Sequence, residues 1–409
     1  MHQLDHFDHG CDDALSCQYR SASPVNPHIV IIGAGLGGLT AALALQKAGL
    51  RPLVLEQAEV LGDVGAGISV TPNASKALIS LGLYEGLERW GQAVPVQEIR
   101  EGITGKMLMA IDRSDVRTRY GAAYYMVHRA DLHAMMVAAV RAHDPDAIRT
   151  GYKLVAQTAD ETGIRMEFSN GETMTADIMV AADGGRSAVR SWLFGDDPAE
   201  FTGHVAWRFL VPAADAPSEA SDPGSRVWTG QDRSFVRYAV RDGALINCVG
   251  LTRTGLWRGE GWSQTVPAAD LVPEFAGFVP EVQALIAAAP SGRVNSWGLF
   301  IRPMAPAFVK GPVVLLGDAA HPMLPFMGQG AAMAIEDGAV LGRCFAAAAT
   351  PAEALARYEA ARLERAGFIL EESALGADRI QQNGESKTRF ARNEDSLGIF
   401  EYDPATVPI

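Results

Sequence analysis

The sequence is poor in cysteine: four stand at positions 11, 17, 248 and 344, none in a CxxC pair. That excludes a disulfide framework and leaves a reducing, cytoplasmic compartment as the expectation. Basic clusters are also missing, and the formal net charge is -13. No nucleic-acid partner and no anionic membrane surface is expected, since both reward grouped Lys and Arg. No N-terminal apolar segment reads as a secretory signal. Residues 29–45 pass 17 positions without a charge, but a membrane span needs about 18 to 20 apolar residues, and glycines interrupt this stretch at regular spacing. What remains is a chain with 48% hydrophobic and 20% charged residues, the composition of a globular protein with a large core. The first 27 residues hold His2, His6, His9, Cys11 and Cys17 at irregular spacing. They read as a disordered extension rather than a metal site, and no metal is expected.

The organising stretch is 28–56. Ile29 to Ile32 form a short apolar run of the kind a buried parallel strand shows, and Gly33-x-Gly35-x-x-Gly38 follows at once and opens a helix over 39–47. A second strand, 52–55, ends in Glu56, about 20 residues past the glycines, where a carboxylate accepts hydrogen bonds from a ribose. Gly33 permits the turn, Gly35 lets a pyrophosphate approach, Gly38 lets helix and sheet pack, and the helix N-terminus attracts phosphate. This is a dinucleotide site, and the motif alone leaves NAD and FAD both open.

Further along, Gly62-Asp-Val-Gly65-Ala-Gly67 forms a glycine-rich loop before a helix over 74–81, and Arg129 opens an amphipathic helix. Alternation over 152–168 and the Ser169-Asn-Gly171 turn predict a hairpin. A buried strand over 175–182 runs into Asp183-Gly-Gly-Arg-Ser187-x-x-Arg190. Residues 201–252 become strand-rich, as an inserted antiparallel sheet would. A third apolar strand, 313–316, leads into Gly317-Asp318 and then Pro325-Phe-Met-Gly-Gln-Gly330 before a helix over 331–347, a second helix over 352–375 and an irregular tail.

The ordered triple of strand-to-turn motifs, at 33–38, 183–190 and 317–318, resembles the group A flavoprotein monooxygenases, the single-component aromatic hydroxylases related to salicylate hydroxylase and 6-hydroxynicotinate 3-monooxygenase. The likeness covers about residues 28–340 and the helix beyond. It implies an α/β fold: a Rossmann-like FAD-binding domain (28–94, 126–199 and 296–375) with an inserted antiparallel-sheet substrate domain (95–125 and 200–295) and a tail from 376. It also implies FAD as cofactor, with Gly33, Gly35, Gly38 and Glu56 at its ADP end. Arg129 would contact the flavin side chain, Asp183 and Arg190 would contact FAD and NAD(P)H, and Asp318 after Gly317 would bind a ribityl hydroxyl. The free N–H groups of Gly330, Ala331 and Ala332 would face the flavin edge where negative charge gathers on reduction.

The resemblance further places Pro325 beside the flavin C4a, where O2 is captured as a hydroperoxide, with apolar neighbours including Phe326 to exclude water. His321 is close enough to the Gly-Asp motif to reach the flavin or to pack. Candidate substrate contacts are Ser69, His204, Trp207, Arg208, Arg226, Arg237 and Tyr238. Strand alternation puts His204 and Arg208 on one face and Trp207 on the other. The expected activity is NAD(P)H- and O2-dependent hydroxylation of a small phenolic or hydroxypyridine-type acid. Because there is one GxGxxG unit, NAD(P)H would meet the flavin only transiently, with loop glycines at 62–67 giving freedom. A homodimer is compatible with this, and a non-enzymatic FAD-binding redox sensor is the alternative.

Overall fold

The structure is a computed structural model and describes residues 27–62, 66–160, 163–254, 257, 264–381 and 390–409. The N-terminal histidines and cysteines therefore lie outside the described residues, as do loop residues 63–65. A six-stranded sheet runs in the order Val309–Lys310, Val313–Leu315, Ile178–Ala181, Ile29–Ile32, Leu53–Leu55, Ile148–Arg149. All neighbours are parallel except the edge pair Val309–Lys310 with Val313–Leu315. The strands Ile29–Ile32 and Ile178–Ala181 are buried at every position. That is why they are unbroken apolar runs rather than alternating ones: helices and a small sheet cover both faces.

The expected strand over 175–182 is broken at Asp177, whose Oδ2 accepts the His28 N–H at 2.7 Å. Its first half, Thr173–Ala176, pairs with Gly163–Phe168, which pairs in turn with Leu154–Asp160. The expected hairpin is thus a three-stranded sheet, and the Ser169 to Gly171 turn joins its second and third strands.

The first helix, Leu36–Lys47, starts three residues earlier than expected and packs along the helix Gly330–Ala347. Gly338 and Gly342 make this approach possible. A Cβ on Gly338 would lie 2.6 Å from the Ala41 nitrogen, and one on Gly342 would lie 2.3 Å from the Ala44 Cβ. The two helices that end at the nucleotide turn and at the Pro325 segment are thereby joined almost backbone to backbone.

The second sheet has eight strands, in the order Gln264–Pro267, Arg293–Ile301, Glu200–Pro212, Leu245–Arg253, Arg233–Val240, Ser225–Gly230, Val96–Glu101, Met107–Asp112. It is antiparallel except where Ser225–Gly230 meets Val96–Glu101, a parallel pair that stitches the 96–112 segment to the later strands. The strand Arg293–Ile301 carries this sheet past residue 295, where the first domain had been expected to resume. One face packs on an apolar cluster holding Phe209, Trp228, Phe235 and Phe275; the other faces the first domain.

The last long helix runs Pro351–Ile380, five residues past the expected end, and the final stretch is not loose. Ile399 and Phe400 are fully buried, and Lys76 Nζ donates to the Phe400 carbonyl at 2.9 Å. Among the described residues no helix is long and apolar enough to cross a membrane, and no group of three or more His, Cys, Asp or Glu is placed to hold a metal. Because Gly342 has no room for a side chain, Gly342→Val should separate the two helices and lower stability by about 1 to 3 kcal/mol. Thermal unfolding followed by circular dichroism measures this, and an unchanged midpoint would mean the helices can part freely.

Candidate functional site

A cavity of about 540 Å³ lies between the two sheets. At one end are Gly35, Leu36 and Gly37 at the start of the first helix, with Ala182 and Gly184 after the Ile178–Ala181 strand and Gly317 and Asp318 after Val313–Leu315. These are the carboxyl ends of adjacent parallel strands, where open α/β sheets bind ligands. Gly33 sits at φ +104°, and a Cβ there would lie 2.4 Å from the Ala182 carbonyl. Gly38 is closed off by the Gly33 carbonyl, 2.1 Å from where its Cβ would stand, while a Cβ on Gly35 would meet nothing within 4 Å. Two glycines thus serve packing, and the third fronts open space. Glu56 closes the turn: its Oε2 accepts the Ala34 N–H at 2.8 Å and its Oε1 accepts the Ala58 N–H at 2.9 Å, leaving further lone pairs for a ribose.

Asp318 points its carboxyl into the cavity and accepts no hydrogen bond from any described residue. Its side chain is exposed to the open cavity, yet the protein packed around the cavity raises its pKa by desolvation, against the opposing pull of His321 and Arg129. A ligand filling the cavity would take water away from this carboxylate, and hydroxyl groups on that ligand would supply donors in its place. Arg129 also lines the cavity; its pKa is lowered first by burial and then by Arg208, with Asp318 opposing.

The far wall near Asp318 is formed by Met323, Leu324, Pro325, Phe326 and Met327, followed by Gly330 and Ala331 at the start of their helix. That first turn holds no acidic residue, so its N–H groups present uncompensated positive charge to the cavity. Ala332, expected beside them, is fully buried and is not among the residues that line the cavity.

Several expected contacts fall elsewhere. His321 is fully buried behind the cavity, with Nε2 2.6 Å from Asp337 Oδ2. It belongs to a buried ion network rather than to the reacting face. Asp337 Oδ2 also accepts the Gly317 N–H at 2.9 Å, and Arg362 spans Asp337 Oδ1 and Glu336 Oε2, each at 2.7 Å. Asn73 links Glu336 to Gln329, just ahead of the Gly330 helix. Arg190 is likewise buried: it donates to the carbonyls of Ala320 and Pro303 and pairs with Asp197. It ties the second motif to the third instead of meeting a ligand. Asp183 stands just behind Gly184, accepting the Val189 N–H at 3.3 Å, with its pKa raised by burial.

On the second sheet, alternation sorts the candidates. Arg208, Tyr238, Val249 and Val236 face the cavity, and Val249 is paired with both Arg208 and Val236 across the strands. Trp207 faces the other way and donates from Nε1 to Thr252 Oγ1 at 3.0 Å. Arg226 and Arg237 also point away, consumed by Glu98, Glu281 and Asp222. His204 shares Arg208's side of its strand but lies outside the cavity, edge-on to Phe326 at 5.3 Å and 3.0 Å from Gln381 Oε1; it supports the wall rather than touching a reactant. Ser69 lines the cavity and donates to the Gly328 carbonyl at 3.2 Å. Gly67 is pinned rather than free, since its N–H donates to Asn247 Oδ1 at 2.8 Å.

Sequence reading missed Tyr124, Gln97, Ser225, Ser234 and Glu394, which complete the cavity. Burial, with Glu394 adding to it, pushes the Tyr124 hydroxyl up to about 12. The signal for Ser225 and Ser234 was their position one and three residues from flagged arginines, but only the register shows which neighbour faces in.

The residues present fit FAD: a helix N-terminus and Glu56 for its ADP half, Asp318 for its ribityl chain, and the Gly330 and Ala331 N–H groups for the electron-rich edge of its ring. A nucleotide turn at the carboxyl ends of a parallel sheet, opening into a cavity of this lining, marks an FAD-dependent enzyme. The chain belongs to the FAD binding domain family, whose model matches residues 27–373. It is 37% identical over 341 residues to a 3-amino-4-hydroxybenzoate 2-monooxygenase of Streptomyces platensis, covering 83% of this chain and 85% of the relative. It is 35% identical to the 6-hydroxynicotinate 3-monooxygenase of Pseudomonas fluorescens, covering 94% and 97%. Among solved structures, Klebsiella pneumoniae HpxO complexed with FAD and uric acid superposes with a TM-score of 0.80 at 28% identity, covering 92% of this chain and 96% of that one.

Two outcomes follow from this geometry. Asp318→Ala should fold but lose most of its flavin, and Glu56→Ala should weaken FAD binding by about 1.5 to 3 kcal/mol, as loss of a charge-assisted hydrogen bond does. Flavin absorbance of purified variants and FAD titration of the apoproteins give both values. Separately, burial raises the Asp337 carboxyl, but His321 and Arg362 outweigh it and hold its pKa to about 2. A carboxyl held below its unfolded value of about 3.9 stabilises the fold fully above that pH and stops doing so as pH falls through its folded pKa. The stability gap between the native chain and Asp337→Asn should therefore be constant from neutral pH to about 4 and shrink towards pH 2, read from urea midpoints across that range.

Proposed function

We propose that this protein uses NAD(P)H and O2 to hydroxylate a small, electron-rich phenolic or hydroxypyridine-type ring that carries a carboxylate. The observation that carries the reading is Arg208. Its guanidinium faces the cavity and stacks on Trp297 at 5.6 Å. Its buried Nε has no hydrogen-bond partner, and no carboxylate among the described residues pairs with it. A cation in that position is costly until an anion arrives, and a guanidinium matches a carboxylate in two-pronged geometry.

FAD, when bound, supplies acceptance of hydride and activation of oxygen. The chain's residues do the rest. Arg208 would orient the ring against the sheet, Tyr238 and Tyr124 would offer hydroxyls to ring substituents, and the apolar wall from Met323 to Met327 would keep water out. Ser69, Pro325 and Phe326 bound the space between flavin and substrate. Relatives named for aminohydroxybenzoate and hydroxynicotinate support an aromatic acid of this size.

With Arg208→Gln, benzoate-type ligands should bind about 30- to 100-fold more weakly, the 2 to 3 kcal/mol of a charge-assisted pair, while flavin content stays unchanged. Perturbation of the flavin spectrum reports the affinity. An oxygen electrode with NADH or NADPH and a panel of hydroxylated aromatic acids tests turnover. Flavin binding with no ligand-dependent oxygen uptake would favour the redox-sensor reading instead.

A further inference from the structure

Besides Arg129, Asp318 and Arg208, the cavity has a fourth charged wall residue, and it comes from the far end of the chain. Glu394 lines the main cavity and an adjoining space of about 70 Å³. Its Oε2 accepts from Arg113 Nη2 at 3.2 Å, and its Oε1 receives no hydrogen bond from any described residue. Arg113 is 3% exposed, donates from the same nitrogen to Gln97 Oε1 at 2.9 Å, and lies over the Tyr124 and Phe400 rings, each at 5.1 Å. The segment that follows Glu394 is held in place. Asp395 pairs with Arg119 at 3.1 Å and bonds Tyr120, and the Ile399 N–H donates to the Glu394 carbonyl at 3.0 Å. The carboxylate is therefore aimed by packed structure, with one oxygen committed to Arg113 and the other left over.

We propose that Glu394 is a specificity-determining residue whose free oxygen accepts an N–H from the substrate ring, either an amino substituent or a ring nitrogen bearing hydrogen. The inference rests on the reading of the cavity as a substrate site. Chemistry separates these two wall residues: Arg208 attracts an anion, whereas Glu394 repels one and welcomes a donor. Tyr238 and Tyr124 lie between them electrostatically, the first sensing Arg208 and the second sensing Glu394. A ring with a carboxylate at one position and an N–H donor at another satisfies both charges together. A phenolate or second carboxylate beside Glu394 would be rejected by like charge. An N–H met by a buried carboxylate is the kind of contact that discriminates strongly, because the analogue lacking it leaves the acceptor unpaired.

The test uses the FAD-loaded protein and matched ligands of equal shape. Each aminobenzoate isomer is compared with the corresponding methylbenzoate, and each aminobenzamide with the corresponding methylbenzamide, by perturbation of the flavin spectrum. For at least one isomer the amino ligand should bind tenfold or more tightly than its methyl partner in both series. Glu394→Ala should erase that ratio while leaving the methyl ligands within about twofold, and Glu394→Gln, which keeps an acceptor oxygen and the Arg113 contact, should retain part of it. Flavin content and the thermal midpoint establish that each variant is folded, and the Gln variant carries the test if the Ala variant is not. An absent amino preference, or one that survives both substitutions, overturns the role of Glu394. Loss of binding by the acids alone, with the benzamide preference intact, counts against Arg208 and leaves Glu394 standing.

Discussion

The buried ion network of Glu336, Asp337 and Arg362 is the constraint on which the rest of the site depends. All three side chains are fully buried, and Arg365 adds a second guanidinium to Glu336 at 3.0 Å. Removing one member would strand its partners in a medium that cannot solvate them. The network holds more than itself. Asp337 fixes the Gly317 N–H and so the turn that presents Asp318; Glu336, through Asn73, fixes the residue ahead of the Gly330 helix. Arg362 arrives from the last long helix and meets Tyr402 at 2.7 Å, so the chain's end is wired to the same charges. The cavity residues are displayed by a frame in which this ion network is set within the apolar core.

That frame was invisible in the sequence, although much around it was not. Buried parallel strands announce themselves as apolar runs, and each strand-to-turn motif carries glycine or aspartate for reasons local to the turn. Gly33, Gly35 and Asp318 could be placed from spacing and resemblance because their roles need no knowledge of distant partners. His321 and Arg190 misled for the opposite reason. A histidine or arginine close to a motif in sequence looks available, and only tertiary contacts, with Asp337 for one and with the carbonyls of Ala320 and Pro303 for the other, show that it is spoken for.

The second sheet shows the same limit in another form. Alternation separated Arg208 from Trp207 correctly within one strand, yet it gave no means of deciding between Arg237 and Tyr238 until the pairing of neighbouring strands was known. A slip of one residue exchanges the faces. Glu394 was less legible still, because it lies in a stretch with no periodicity and reaches the cavity only through the fold of the C-terminal segment.

The helix pair joined at Gly338 and Gly342 has a consequence for how the protein is made. One helix begins at residue 36 and the other at residue 330, and together with Asp318 they bound a single cavity. A nascent chain emerges from its N-terminus at about 5 to 20 residues per second, so the first nucleotide motif is exposed for tens of seconds before its other wall exists. The first strand, too, lacks its neighbour Ile178–Ala181 for much of that interval. Cofactor capture is therefore a late event in biosynthesis, and a ligand that binds only the finished cavity drains the population of incomplete folds by mass action. In this protein the flavin would be the last structural part added as well as the reactive one.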